Sequence, residues 1–216
     1  MTNRRDTFYL LPLAKIVFMN RPAIVLIVVL IAVVAAFKFC NNKPETPGEK
    51  RQSPLSIDEN TGTFNTSFNK LLGSYFALKD AFVASDTGRI NAASLEILMR
   101  SDSLQVNEIK GDSTGAIKET ARSFTTTISS SAVAIAGENN IEGKRREFNM
   151  ITDALWSLTR TVKFDGQKIY YQYCPMAFHN QGAYWLNNSR EIRNPYFGSK
   201  MLTCGETADS VDYSKR

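Results

Sequence analysis

The chain has 216 residues, room for one folded domain once an anchor and a linker are set aside. Hydrophobic residues make up 43%, close to an ordinary globular protein, so most of the remainder is expected to fold around a core. The net charge is +5, but Arg4, Arg5, Lys15, Arg21 and Lys38 against Asp6 put +4 of it in the first 40 residues. That leaves +1 for the rest and removes bulk charge as an argument for nucleic-acid binding.

Ala23 to Phe37 is an unbroken run of fifteen apolar residues. As a helix it spans roughly 22 Å, short of the ~30 Å hydrocarbon core, and Phe18, Met19 and Phe39 extend it. Pro22 suits the first helical turn. Four cations precede the run and only Lys38 stands at its far end, so the positive-inside rule keeps the N-terminus in the cytoplasm. The expected layout is a basic cytoplasmic segment at 1–18 and a transmembrane anchor at 19–39, with everything beyond exported. A cleaved signal peptide is the rival, because Val34-Ala35-Ala36 offers small residues at cleavage positions. A lipid-attachment site is disfavoured, since Phe37-Lys38-Phe39 before Cys40 lacks small residues. Cys40 itself is expected at the membrane edge.

Residues 40–62, with Pro44, Pro47 and Pro54, read as a flexible linker. Helical periodicity then begins. Phe64, Phe68, Leu71, Tyr75, Leu78 and Phe82 line one helix face. Asp86 can cap a second helix carrying Ile90, Ala93 and Ile97. Gly111 to Ser113 break the pattern. Ile117, Ala121, Phe124, Ile128, Ala132 and Ile135 mark a third helix ending at Gly137, although the Ser/Thr run from Ser123 to Ser131 has modest helix propensity. Ile141, Phe148, Leu155, Leu158 and Val162 mark a fourth, ending near Asp165-Gly166. The fold class predicted is mainly α: an antiparallel four-helix bundle over 63–166, preceded by the transmembrane helix.

From Lys168 the texture changes. Ile169-Tyr170-Tyr171-Gln172-Tyr173 is β-prone, and glycines, prolines, aromatics and two cysteines crowd the residues that follow. Residues 167–207 are expected to form an irregular cap with one short strand, packed on the bundle, and 208–216 a polar tail. The cap holds Cys174 two residues before Met176, and Met201 three before Cys204. The second spacing fits one helical turn, the first a strand or tight loop. Thiolate and thioether are soft ligands that favour Cu(I), whereas zinc prefers more Cys and His. His179, the single histidine, is a further possible ligand if the loop turns back. The competing reading is a Cys174–Cys204 disulfide, closing a loop of about 30 residues and contributing a few kcal/mol, with both methionines as core fillers.

Other chemistry finds little support. The chain has no G-x-S-x-G, H-E-x-x-H, P-loop or G-x-G-x-x-G, and a Ser-His-Asp site would have to recruit His179 from an irregular loop, so no enzyme is expected. Asp80 and Asp86 are explained by helix-surface and cap roles. Lys144-Arg145-Arg146 reads as a solvated helix face. Tyr184, Trp185, Tyr196 and Phe197 read as a plug for one bundle end rather than a binding platform.

Four stretches carry a resemblance: Cys174-Pro175-Met176-Ala177, Gly182-Ala183-Tyr184-Trp185-Leu186, Glu191-Ile192-Arg193-Asn194-Pro195-Tyr196-Phe197-Gly198 and Met201-Leu202-Thr203-Cys204-Gly205-Glu206. With the upstream segment from Tyr75 to Val83 followed by Asp86, they resemble a bacterial family known chiefly as a domain of unknown function. That family occurs alone behind a membrane anchor or signal, and at the C-terminus of periplasmic adaptor subunits of copper and other heavy-metal efflux systems. The resemblance covers about residues 64–207. It implies a link to copper or heavy-metal handling; the apolar run and its flanking charges give the expected location, an inner-membrane protein with its domain in the periplasm, and an efflux or adaptor protein is the expected partner. The candidate metal ligands it carries over are Cys174, Met176, Met201 and Cys204, with copper as Cu(I) the favoured ion. The Cys-Pro-Met core is also similar to a short heavy-metal motif that continues with His-Pro, from which Ala177-Phe178 depart. Without metal, the expectation is a non-catalytic envelope interaction module held by the Cys174–Cys204 bridge.

Overall fold

Four helices dominate the computed structural model, which describes residues 60–215. They are α1 (Gly62–Ala84), α2 (Thr87–Asp102), α3 (Ala116–Gly137) and α4 (Ile141–Thr161). The basic segment, the anchor or signal peptide, Cys40 and most of the linker lie outside the described residues. Among the described residues, no helix is long and apolar enough to cross a membrane.

The starts of α1, α2 and α4 are each fixed by an N-cap side chain that accepts an otherwise orphaned backbone N–H. Thr61 takes that of Phe64 (3.1 Å), Asp86 that of Arg89 (3.0 Å) and Asn140 that of Gly143 (2.7 Å). Asn60, within the stretch read as linker, is buried and donates to the carbonyls of Val162 and Lys163 at 3.1 and 3.2 Å, so it packs with the domain. The six apolar residues read from the spacing of α1 are all fully buried. Each contributes about 1.5–3 kcal/mol by leaving water. The Ser/Thr run does not interrupt α3. Thr125 and Thr126 both donate their hydroxyls back to the Arg122 carbonyl, at 2.8 and 2.9 Å, so these side chains are satisfied within the helix.

Each helix packs against the next in sequence. Two-residue and three-residue connections reverse the chain after α1 and α3. The Lys144 ammonium joins Asn91, near the start of α2, to the Ile135 carbonyl, near the end of α3, at 2.8 and 2.5 Å. Between α1 and α4 the core is aromatic: Phe148 stacks on Tyr75 (centroids 5.3 Å apart) and lies 4.9 Å from Phe82.

Lys144 and Arg145 correct the expectation of a solvated basic face. Both are buried. Lys144 satisfies a carbonyl in the last turn of α3, where the helix dipole favours a cation. Arg145 spreads over three elements, reaching Glu142 (2.6 Å), the Pro195 carbonyl (3.2 Å) and the Ser85 hydroxyl (3.3 Å). Charge-run logic misses this because it does not say which way a helix is turned.

The cap holds more regular structure than expected. Three antiparallel strands, β1 (Ile169–Cys174), β2 (Ala183–Asn187) and β3 (Glu206–Val211), form a sheet in the order β2-β1-β3. Residues 208–211, read as tail, belong to β3. The Glu-Thr-Ala-Asp-Ser-Val strand lies mostly exposed at the sheet edge, so it carries no buried apolar alternation to betray it. Tyr171 and Tyr184 face the bundle side, with Tyr171 stacked on Trp156 of α4 at 4.5 Å and Tyr184 on Tyr171 at 4.3 Å. Gln172, Cys174 and Trp185 alternate onto the other face. There the irregular segment 188–205 covers them, pegged by Gln172 donating to the carbonyls of Ser189 and Glu191, both at 3.2 Å. The aromatic-plug reading agrees with the packing: Trp185 and Tyr196 are buried, Tyr184 and Phe197 half-buried.

Candidate metal site

Cys174 is the last residue of β1 and is fully buried. Cys204 stands two residues before β3 and is half-buried. Pairing of Tyr173 with Glu206 aligns the two strands and brings the sulfurs to 3.6 Å across 30 positions of sequence. Both are free thiols. The Met176 thioether, on the turn that follows β1, lies 4.0 Å from the Cys204 sulfur. Partial burial, and then the Cys174 thiol beside it, push the Cys204 thiol above its ordinary value.

Three of the four predicted sulfurs are thus brought together by sheet pairing. Met201 joins through its backbone: it ends a 3-10 turn (Gly198–Met201), and its carbonyl accepts the Cys204 N–H at 3.1 Å. The sulfur-to-sulfur contacts do not extend to it. His179 is exposed, and among the described residues no hydrogen bond joins its ring to this cluster.

Two residues that the sequence reading left aside hold Cys204 in place. Asn194 is fully buried; its amide donates to the Cys204 carbonyl (2.8 Å) and its oxygen accepts the N–H groups of Tyr196 (2.8 Å) and Phe197 (3.3 Å). The Asn-Pro pair was a turn signal that could have flagged it. Gly205 has φ +139°, and a Cβ there would lie 2.7 Å from both the Tyr173 carbonyl oxygen and Trp185. Gly205→Ala is expected to cost about 2–4 kcal/mol through backbone strain and forced contact. Denaturant unfolding measures it, and a loss below about 1 kcal/mol contradicts the strained geometry.

Met176 is followed by Phe178, His179 and Asn180 in left-handed conformation, with φ of 51°, 60° and 68°. Such residues cost roughly 1–2 kcal/mol each relative to glycine. The turn persists because its surroundings hold it. Ala177 is buried, its carbonyl accepts the Gly182 N–H at 3.0 Å, and the Phe178 ring sits edge-on to Tyr196 at 5.3 Å. His179 lies on the exposed crest, where His179→Gly removes strain but adds unfolded-state entropy. The expected net gain is about 0.5–1 kcal/mol. Chemical denaturation checks the gain, and metal titration of the same variant tests the ring as a ligand.

Chemically the cluster offers two thiols and a thioether, all soft. Among the described residues no three His, Cys, Asp or Glu side chains gather, so the harder donors make no competing group there. A metal–thiolate bond of ~2.3 Å sets sulfur ligands ~4 Å apart around a three-coordinate ion. The separations of 3.6 and 4.0 Å fit that spacing with little rearrangement.

Fold and site together define a helical bundle closed by a small antiparallel sheet with a sulfur cluster at its margin. A family model bearing the description Protein of unknown function (DUF3347) matches residues 71–166, from the middle of α1 to just beyond α4. The match supports a family of domains of unknown function, and it stops short of the sheet and the four sulfurs. Neither the curated proteins nor the solved structures yielded a match.

Proposed function

We propose that this chain captures and hands over a soft metal ion, Cu(I) in particular, as a membrane-anchored periplasmic protein linked to heavy-metal efflux. The observation that supports the reading is the convergence of Cys174, Cys204 and Met176, with sulfur separations of 3.6 and 4.0 Å. Cys174 and Cys204 are the anionic ligands once deprotonated, and Met176 the neutral one. Met201 is the fourth sulfur of the set, one short turn away. The ion is cargo: it is bound and released with no bond made or broken in a substrate.

The resemblance of the cap to domains of copper and heavy-metal efflux adaptors supplies the biological setting and an adaptor as the partner. The charge asymmetry around the apolar run supplies the topology.

Anaerobic titration of the reduced full chain with Cu(I), against a chromophoric chelator, tests the proposal. One ion per chain is expected, with loss of both titratable thiols of the domain. A chain that ignores copper, and whose Cys174 and Cys204 emerge bridged when purified without reductant, overturns it. That result favours the non-catalytic envelope interaction module.

A further inference from the structure

The three sulfurs are not equally placed. Cys174 is 0% exposed and Met176 44%, with Cys204 between them in burial and in contact with each. The cluster is therefore a short path from a surface thioether to a buried thiol. The chemistry is graded in the same direction. A thioether is neutral and has no proton to lose, whereas each thiol must release one on binding and recover one on release. The geometry also fixes the outer end. Met176 leads directly into the left-handed turn, and the buried Ala177 and the Phe178–Tyr196 contact hold that turn against the cap. The thioether thus stays close to Cys204 while remaining open to solvent.

Building on the Cu(I) reading above, we infer that Met176 is the exchange ligand of the site. It is the atom through which the ion enters and leaves, in direct transfer with a partner that presents a soft sulfur donor. On release the incoming donor forms its bond to copper as the Met176 bond breaks, and copper stays monovalent throughout. The two thiolates follow, each taking up a proton. Capture runs the same steps in reverse. Because Met176 is bonded in the resting complex and also makes the first contact in the shared transition state, its loss weakens binding and slows capture. A ligand that only held the ion would weaken binding by raising the release rate and would leave capture unchanged.

Stopped-flow transfer between the full chain and a Cu(I) chelator, run in both directions, separates these roles. Met176→Leu and Met176→Gln are compared with wild type and with Met99→Leu, an exposed methionine of α2 outside the ligand set. The capture rate is expected to fall by about tenfold or more in the two Met176 variants, with weaker binding. Met99→Leu is expected to leave capture and Kd unchanged. An unchanged capture rate in the Met176 variants, whatever their Kd, overturns the assignment while leaving the copper site standing. Failure of the wild-type chain to take up Cu(I) overturns both. Because Met176 is largely exposed, both variants are expected to keep the wild-type helical circular dichroism, which verifies folding before rates are compared.

Discussion

Cys174→Ser is expected to abolish Cu(I) binding by the full chain, an effect larger than the ~10–100-fold that loss of an outer-shell partner costs. The serine oxygen is a hard donor that stays protonated at neutral pH, so the buried end of the sulfur cluster is lost. What remains is one half-buried thiol and one thioether, 4.0 Å apart. Serine also places a hydroxyl where the cysteine is fully buried, which can cost about 1–3 kcal/mol if it finds no partner. Cys174→Ala removes that ambiguity, since it deletes the donor without adding a polar group. Both variants are expected to lose copper while keeping the helical circular dichroism of the wild type. Full retention of affinity in both sinks the ligand set.

Phe148→Ala is expected to destabilise the domain by about 3–5 kcal/mol, the usual range for deleting a fully buried phenylalanine. Its ring joins three parts of the molecule. It stacks on Tyr75 and meets Phe82 on α1, and it lies 5.9 Å from Tyr196 of the cap. The neighbouring Tyr75 hydroxyl bonds Thr152 (2.7 Å) and receives the Leu186 N–H of β2 (3.0 Å), so the cavity opens beside the hydrogen bonds that seat the sheet. A fall in Tm on the order of 10 °C is expected. Calorimetry measures it, and a fall of under about 3 °C means that the surrounding rings collapse into the space.

The bundle was legible because its signal is local. Spacings of three and four residues from Phe64 to Phe82 specify a buried stripe whatever it packs against, and Thr61, Asp86 and Asn140 are side chains able to cap a helix. The sheet was only partly legible. Tyr-rich β1 announces itself, but β3 owes its conformation to backbone pairing with β1, and four of its six residues are exposed with none fully buried. The site lay between these cases. Its sulfurs could be named from residue type, yet their distances depend on a register between strands more than 30 residues apart. Spacing gave Met176 and Met201 equal standing, and only the turn after β1 sets Met176 against Cys204. Asn194 and Gly205 were missed as supports because their roles lie in contacts with distant backbone.

The parallel rings of Trp156, Tyr171 and Tyr184 have an optical consequence. Successive planes differ by only 3°, at centroid separations of 4.5 and 4.3 Å, and the stack crosses from α4 into the sheet. Rings held so closely and rigidly couple their electronic transitions, giving a near-ultraviolet dichroism that depends on the two parts staying seated together. If the cap lifted while the helices persisted, that signal would vanish before the far-ultraviolet one. The protein therefore carries an intrinsic spectroscopic gauge of whether the sheet bearing its thiols is seated, readable without any label.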